Sequence, residues 1–188
     1  MSQNSPRELS IEGLKALAHP LRQRMLARLQ RVGPATSADL SAEFGEDRGA
    51  TSYHLRQLER FGFIEVDSSR SAGRRKYWRA RPQDVRLPRD PADAETALVA
   101  DVVGSQWMKR AQSELDAYLA DRDAFGDFRA AAMHSFGALR LTADDLAAFG
   151  EAYIGLLNRW RDEHPEVTPD SRPITVIFHA FPTPDQSE

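Results

Sequence analysis

The sequence contains no cysteine, which excludes disulfide bonds, thiolate metal sites and cysteine nucleophiles. It also lacks any run approaching the roughly 18 apolar residues of a membrane-spanning helix. Its first residues, from Met1 to Glu8, are polar and lack the apolar stretch of a secretory signal. We therefore expect a cytoplasmic protein without membrane contact. The length of 188 residues suits one large domain or two small ones.

Positive charge is scarce in the second half of the chain and concentrated in the first. Residues 1–86 hold 16 Lys and Arg against 10 Asp and Glu, a net charge of +6. Residues 87–188 hold 9 against 18, a net charge of −9, which together with the first half gives the overall −3. This asymmetry indicates that only the first half meets a polyanion, although many charged faces are simply solvated.

Three helices are predicted in the first part of the basic half. Ser10 can cap a helix over 11–18. Pro20 suits the first turn of a second helix, which Gly33 ends. A third, short helix is predicted over 37–44, with its apolar side chains facing a core.

The next segment has the pattern of a helix followed by a β-wing. A helix is predicted over 48–61, and strands over 63–67 and 76–80, joined by a loop with Gly73 at its tip. Helical spacing gives this fourth helix an inward stripe of Thr51, Leu55 and Leu58. Tyr77 and Trp78 lie on the second strand, where we expect them to hold the wing against the helices rather than stack on bases.

This pattern predicts that the first half binds double-stranded DNA. A helix fits the major groove, where arginines can contact guanine bidentately and hydroxyl groups can contact any base. A basic hairpin tip suits phosphates or a minor groove. The predicted DNA-contacting residues are Arg48, Thr51, Ser52, Tyr53 and Arg56 on the helix and Arg70, Arg74, Arg75 and Lys76 in the wing.

The same residues carry a family resemblance. Residues 16–26, Ala-Leu-Ala-His-Pro-Leu-Arg-Gln-Arg-Met-Leu, resemble the opening of winged-helix repressors of the ArsR/SmtB type. Residues 51–64 resemble that family's recognition helix and its exit into the wing, and residues 73–78 resemble the wing itself. The resemblance covers about residues 10–81. It implies a homodimeric transcriptional regulator, usually a repressor released by a signal, with base contacts at Arg48, Gly49, Ser52 and Tyr53.

The chain departs from that family's metal sensors. Where the family has its thiolate motif, this chain has Thr36-Ser37-Ala38-Asp39-Leu40, and the long helix predicted over 93–120 contains no histidine. Because such sites need Cys or His for zinc and soft metals, we expect neither a metal site nor another cofactor. His54 lies at a position where a family histidine packs or touches the backbone as often as it reads a base.

The acidic half is predicted to form a separate domain over 93–188, after a proline-rich linker at about 81–92. Its long first helix carries an apolar stripe that we expect to mediate homodimerisation, although packing within its own domain would give the same pattern. Thr142 and Asp145 predict the start of a second long helix. Strands are predicted over 133–141 and 173–181, paired with each other or exchanged with a partner chain.

The acidic half could bind a small-molecule effector or a metal, or its apolar side chains could simply form a core. A small-molecule effector could enter a cavity lined by Trp107, Met108, Phe136, Trp160, Ile177 and Phe178, but a packed core is favoured. His134 and His179 could approach one another across two strands, yet two histidines without a third ligand make a weak metal site.

The sequence as a whole predicts a mainly helical α+β protein. Residues 1–86 would form a winged helix-turn-helix domain, followed by a C-terminal domain of two long helices and two strands. The predicted function is sequence-specific DNA binding by a homodimeric transcriptional regulator, and the resemblance implies that it is a repressor. The alternative is a winged-helix protein-interaction module whose acidic half binds a partner protein or a small ligand. We expect no enzymatic activity, because no nucleophile–base pair, phosphate loop or metal spacing is present.

Overall fold

The computed structural model describes residues 7–73, 75–81, 85–88, 93–164 and 168–183. The chain divides into two compact units, Met1–Met108 and Lys109–Glu188. The first unit contains, in chain order, β1 (Arg7–Glu8), α1 (Ile11–Ala18), α2 (Pro20–Val32), β2 (Ala35–Thr36), α3 (Ser37–Phe44), α4 (Arg48–Arg60), β3 (Ile64–Val66), β4 (Tyr77–Ala80), β5 (Val85–Arg86) and the beginning of α5 (Ala94–Ala120). The mainly helical fold with a small antiparallel sheet agrees with the predicted fold class.

The helices of the first unit begin where the sequence predicts. The Ser10 hydroxyl accepts a hydrogen bond from the Gly13 amide at 3.3 Å and caps α1. Thr36 and Asp39 form a capping box at the start of α3: the Thr36 hydroxyl accepts from the Asp39 amide at 3.2 Å, and the Asp39 carboxylate accepts from the Thr36 amide at 2.9 Å. These bonds satisfy amides that a helix N-terminus leaves without partners.

The wing belongs to a three-stranded antiparallel sheet in the order β2-β4-β3. Trp78 on β4 lies opposite Ala35 on β2 and Val66 on β3, and its side chain is buried, which confirms the prediction that it holds the wing to the core. Three short strands were not predicted, namely β2 and the parallel pair of β1 with β5. Strands of two residues are too short to show the alternation that identifies a strand in a sequence.

One hydrophobic core unites the helices and the sheet of this unit. Its completely or almost completely buried side chains include Leu14, Leu17, Met25, Leu40, Leu55, Leu58, Phe63 and Ile64. The beginning of α5 joins the same core through Ala100 and Val103.

Hydrogen bonds also fix α5 to the junction between α1 and α2. The Gln106 amide group donates to the Ala18 carbonyl at 3.1 Å, and its carbonyl oxygen accepts from Gln23. Gln23 is buried and also donates to the Leu17 carbonyl at 2.7 Å. The first part of this helix was predicted to belong to the C-terminal domain, but it packs within the first unit.

The second unit contains the end of α5, a 3-10 turn (Arg122–Phe125), α6 (Phe128–Ala131) and α7 (Ala143–Glu163). The predicted start of α7 is confirmed, since the Thr142 hydroxyl accepts from the Asp145 amide at 3.1 Å and the Asp145 carboxylate accepts from the Thr142 hydroxyl at 2.7 Å. None of the described residues of this unit is buried.

The predicted strands over 133–141 and 173–181 do not form in the single chain. The described residues of both segments lie outside any helix or strand. The prediction that the two segments pair with each other within one chain is wrong, and since a strand needs a neighbour for its backbone groups, neither segment forms a strand there. The alternative of exchange with a partner chain stays a prediction.

The described helices include none that is long and apolar enough to cross a membrane.

Candidate nucleic-acid interface

The candidate interface is built on two helices joined by a tight turn. α3 ends at Gly45, whose φ of 68° lies in the left-handed region that favours glycine. Asp47 then caps α4, with its carboxylate accepting from the Gly49 amide at 2.7 Å and the Ala50 amide at 3.1 Å. The amides of Ala50 and Gly49 lower the pKa of Asp47 below its usual value. A Cβ atom at Gly49 would lie 2.9 Å from an Asp47 carboxylate oxygen, so glycine leaves this cap undisturbed.

The two faces of α4 differ sharply in exposure. Thr51, Leu55 and Leu58 have no accessible surface, as their predicted inward stripe requires. The exposed side chains include Arg48, Tyr53 and Arg56, and Gly49 is exposed with them.

Thr51 requires a correction as a predicted DNA-contacting residue. Its side chain is completely buried, and its hydroxyl oxygen has no hydrogen-bond partner among the described residues. A residue cannot belong to the inward stripe and also reach a groove from the same helix. The spacing that places Leu55 and Leu58 in the core assigns Thr51 to the core with them.

Ser52 is partly buried and connects the two helices. Its hydroxyl group lies 2.8 Å from the hydroxyl group of Ser37 at the start of α3, and either can be the donor. Ser52 therefore helps to set how α4 lies against α3, a structural role that its position in the sequence did not reveal. Ser37 was not singled out from the sequence, since the pairing joins residues 15 positions apart.

His54 packs against the junction of α1 and α2. Its ring centroid lies 4.4 Å from that of His19 and 5.3 Å from that of Tyr53. Its Nδ1 is buried without a hydrogen-bond partner among the described residues. This geometry favours a packing role for His54 over a base contact.

The loop between the wing strands is organised by Asp67 and Ser71. The Asp67 amide donates to the Tyr77 carbonyl at 2.8 Å, and the Ser71 amide donates to the Asp67 carbonyl at 3.0 Å. The Tyr77 amide donates in turn to the Ser71 hydroxyl at 3.0 Å. At the tip, Ala72 and Arg75 pair across the turn, and Gly73 takes a φ of 58°. Arg74 lies outside the described residues.

The cations of the wing have different surroundings. Arg79 and Arg81 both donate to Glu65, at 2.8 Å each. Desolvation alone would raise the pKa of Glu65, but the hydrogen bonds from Arg81 and Arg79 hold it below its usual value. Arg70 is exposed, and its Nε lies 3.9 Å from the Asp67 carboxylate. The charge of these three arginines is therefore partly balanced within the wing.

A second group of cations lacks such partners. Arg48, Arg56, Arg75 and Lys76 are exposed, and within the described part of the chain none of them forms an ion pair with an acid. The Arg75 guanidinium lies 5.1 Å from the centroid of the Tyr77 ring, which orients it along the wing. This group leaves positive charge on α4 and on the wing that a polyanion can neutralise.

The second unit forms neither the effector cavity nor the histidine metal site that the sequence suggested. Phe136, Trp160 and Ile177 are exposed, so these residues line neither a closed cavity nor a core. His134 and His179 belong to no metal-binding cluster, because the described residues contain no group of three His, Cys, Asp or Glu placed to hold an ion.

One family model matches the part of the chain that contains α3 and α4. Residues 17–67 match the family model described as a helix-turn-helix domain. No protein of curated function matches the sequence.

Several solved structures are similar to part of the chain. Reduced HlyU from Vibrio cholerae N16961 is 19% identical, with a TM-score of 0.32, over 50% of this chain and 83% of its own. A possible transcriptional regulator for arsenical resistance is 27% identical, with a TM-score of 0.34, over 58% of this chain and 95% of its own. Rv0081 from M. tuberculosis is 23% identical, with a TM-score of 0.34, over 59% of this chain and 89% of its own. TM-scores this low carry no functional conclusion, whereas the family match over α2 to β3 supports a DNA-binding transcriptional regulator.

Proposed function

We propose that this protein is a sequence-specific DNA-binding transcriptional regulator in which α4 enters the major groove. The observation that carries the proposal is the exposure of Arg48, Tyr53 and Arg56 on α4, opposite a completely buried stripe. A helix with one buried face and one cationic face can present arginines to guanine edges without disturbing its own packing. Ser52 and Gly49 lie beside them on the same helix, where Ser52 positions α4 and Gly49 permits close approach of the backbone.

The wing grips the phosphates beside that groove. Arg75 and Lys76 flank the tip of the loop, and neither is paired with a described acid. Cations of this kind displace counterions from DNA, so binding weakens steeply as salt is added. Arg70 and Arg74 belong to the same grip, with Arg70 weakened by Asp67.

The active form is a homodimer, and the exposed side of α5 contributes to its interface. Leu98, Val102 and Met108 are exposed along this helix, while Ala100 and Val103 face the core of their own unit. A two-fold dimer would present two copies of α4 to half-sites about 34 Å apart on one side of the duplex. In keeping with the ArsR/SmtB resemblance, we assign it to repression, which a promoter–reporter assay with and without the protein can test.

Fluorescence anisotropy with labelled duplex DNA tests the proposal. The wild-type protein should bind fragments selected from genomic DNA, and an Arg48→Ala/Arg56→Ala variant should lose the preference for them over scrambled duplexes. Arg60→Ala is the matched control, because Arg60 is exposed at the end of the same helix and its guanidinium lies over the Phe61 ring. Equal preference in the double variant and the wild type would reject α4 as the reading element.

A further inference from the structure

The second unit exposes apolar side chains in two segments that form no helix or strand. In residues 173–181, Ile174 is 66% exposed and Phe181 70% exposed, and Val176 and Ile177 are also exposed. In residues 133–141, Phe136 is fully exposed, together with Met133, Leu139 and Leu141. Because none of the described residues of this unit is buried, the unit has no core of its own to account for these side chains.

The exposed area of 173–181 fits the apolar centre of an interface. At up to roughly 150–250 Å² for a large side chain, the exposed parts of Ile174, Val176, Ile177 and Phe181 present on the order of 400 Å² of apolar surface. That is about half of the roughly 800 Å² that each partner buries in a stable interface. Apolar patches above a few hundred Å² are uncommon on monomers, so this surface is large enough to form the centre of a contact with a partner.

The segment 173–181 is held in place by its own unit. The Phe178 ring stacks on the Tyr153 ring of α7, with centroids 4.0 Å apart, and the Thr175 hydroxyl donates to Glu114 of α5 at 2.6 Å. These contacts leave Ile174, Val176 and Phe181 uncovered. The segment thus lies fixed on the helices while its outer side chains point away from them.

The backbone of the segment specifies how it can be covered. No residue of 173–181 forms a backbone–backbone hydrogen bond with another described residue. Covering it with an apolar surface alone would leave its amides and carbonyls unsatisfied. A neighbouring strand would satisfy them, and the run Ile174-Thr175-Val176-Ile177-Phe178 has the β-branched and aromatic composition that strands favour.

The lack of charge in 173–181 favours a second copy of the chain as the partner. Residues 173–181 contain no Asp, Glu, Lys or Arg, although the acidic half around them is strongly charged. Across a two-fold axis a segment meets its own copy, so a segment of one charge would repel itself and an uncharged one does not. A nucleic acid or a charged protein would instead need complementary charge on this segment.

We propose that residues 173–181 form a strand that pairs with the same segment of a second copy of this chain. This pairing buries apolar side chains of the second unit in both copies and gives the dimer a seam separate from the exposed side of α5. It rests on the homodimer proposed above but not on the reading role of α4.

A charged substitution within 173–181 tests whether this segment forms part of the dimer interface. Val176→Asp should shift the monomer–dimer equilibrium towards the monomer in analytical ultracentrifugation at micromolar concentration, because only the interface on α5 would remain. Val32→Asp is the matched control, because it places the same charge on an exposed valine of α2 and should leave the dimer intact. A Val176→Asp dimer as stable as wild type would overturn the proposal. If the dimer survives Val176→Asp but is lost in Val102→Asp, the homodimer through α5 stands and the strand seam fails.

Disulfide trapping tests the pairing without disturbing the fold. Since the chain has no cysteine, single cysteines introduced from Ile174 to Ala180 report only on contact between copies. Antiparallel pairing predicts efficient cross-linking at one position and a sharp decline on either side. Absence of cross-linking at every position, in a protein that sediments as a dimer, would place the seam elsewhere. DNA binding measured on the same samples separates these outcomes from failure of the proposed function.

Discussion

The rings of His19 and His54 lie 4.4 Å apart between centroids, tilted by 44°. His19 ends α1 and caps α2, since its Nδ1 accepts from the Leu21 amide at 3.2 Å, while His54 lies in the middle of α4. The pair therefore connects the α1–α2 junction directly to the candidate recognition helix. Protonation would disturb both the cap and the ring contact. The Nδ1 of His19 must be unprotonated to accept from the Leu21 amide, and two imidazolium rings would repel each other.

Acid should destabilise the first unit through this pair. Desolvation lowers the pKa of both rings, aided by Arg22 next to His19 and by His19 and Arg22 next to His54. The unfolded chain therefore binds protons more readily than the folded one. The contribution of the pair to folding stability is fully present above the unfolded-state pKa of about 6.5. It is lost as the pH falls below that pKa towards the lowered pKa values of the folded state.

Urea denaturation at pH 7.5 and pH 5.0 measures this effect. The midpoint should fall on acidification in the wild type and fall less in His54→Gln. His134→Gln is the control, because His134 is an exposed histidine of the second unit. An equal acid shift in wild type and His54→Gln would show that the pair does not carry the pH dependence.

Thr51→Val should preserve both folding and DNA binding. Valine has nearly the same shape as threonine, and the buried hydroxyl it replaces has no described hydrogen-bond partner. A buried unsatisfied polar group costs about 1–3 kcal/mol, so the free energy of unfolding should stay the same or rise. Anisotropy and urea denaturation check the two properties separately. Weaker DNA binding in a variant of undiminished stability would restore Thr51 to the interface.

Arg75→Ala should weaken DNA binding more than Arg79→Ala. Both arginines are exposed in the wing, but Glu65 offsets the charge of Arg79. For each lost phosphate contact, the slope of log affinity against log salt should decrease in magnitude by about 1. Titrations between 50 and 200 mM salt, roughly the range over which such slopes are measured, give both values. Identical slopes for the two variants would argue against a phosphate contact at Arg75.

Gln106→Ala should destabilise the first unit, because it removes the bonds that fix the start of α5 to the α1–α2 junction. The expected loss is about 1 kcal/mol for each hydrogen bond. Gln112→Ala is the control, since Gln112 lies exposed on the same helix and donates to Asp116 one turn away. Equal unfolding midpoints for the two variants would mean that the Gln106 bonds contribute nothing to stability.

Local signals explain what could be predicted from the sequence. Ser10, Pro20 and Thr142 mark helix starts through interactions within a few residues, and the spacing of Leu55 and Leu58 defines the buried side of α4. Tyr77 and Trp78 were both assigned to packing from their position on a strand; Trp78 is buried, whereas Tyr77 is half-buried. Each of these features depends on neighbours along the chain.

The features that were missed depend on distant partners. The hydroxyl contact between Ser37 and Ser52 and the ring contact between His19 and His54 join residues that no sequence period connects. Thr51 has the spacing of a core residue and a hydroxyl group that could contact a base. Its burial, which the sequence does not show directly, decides in favour of the core. The segments at 133–141 and 173–181 have strand composition but no strand neighbour within one chain, so composition alone predicted an element that a single copy does not form.

The measurement that tests the central claim most directly is the affinity of the wild type and Arg56→Ala for a genome-selected duplex and its scrambled counterpart. We predict that the wild type prefers the selected duplex, and that Arg56→Ala loses about 1–3 kcal/mol of that preference while still binding scrambled DNA. Absence of wild-type binding to any duplex at low salt, or an unchanged preference in Arg56→Ala, would contradict the assignment of α4 as the helix that reads DNA.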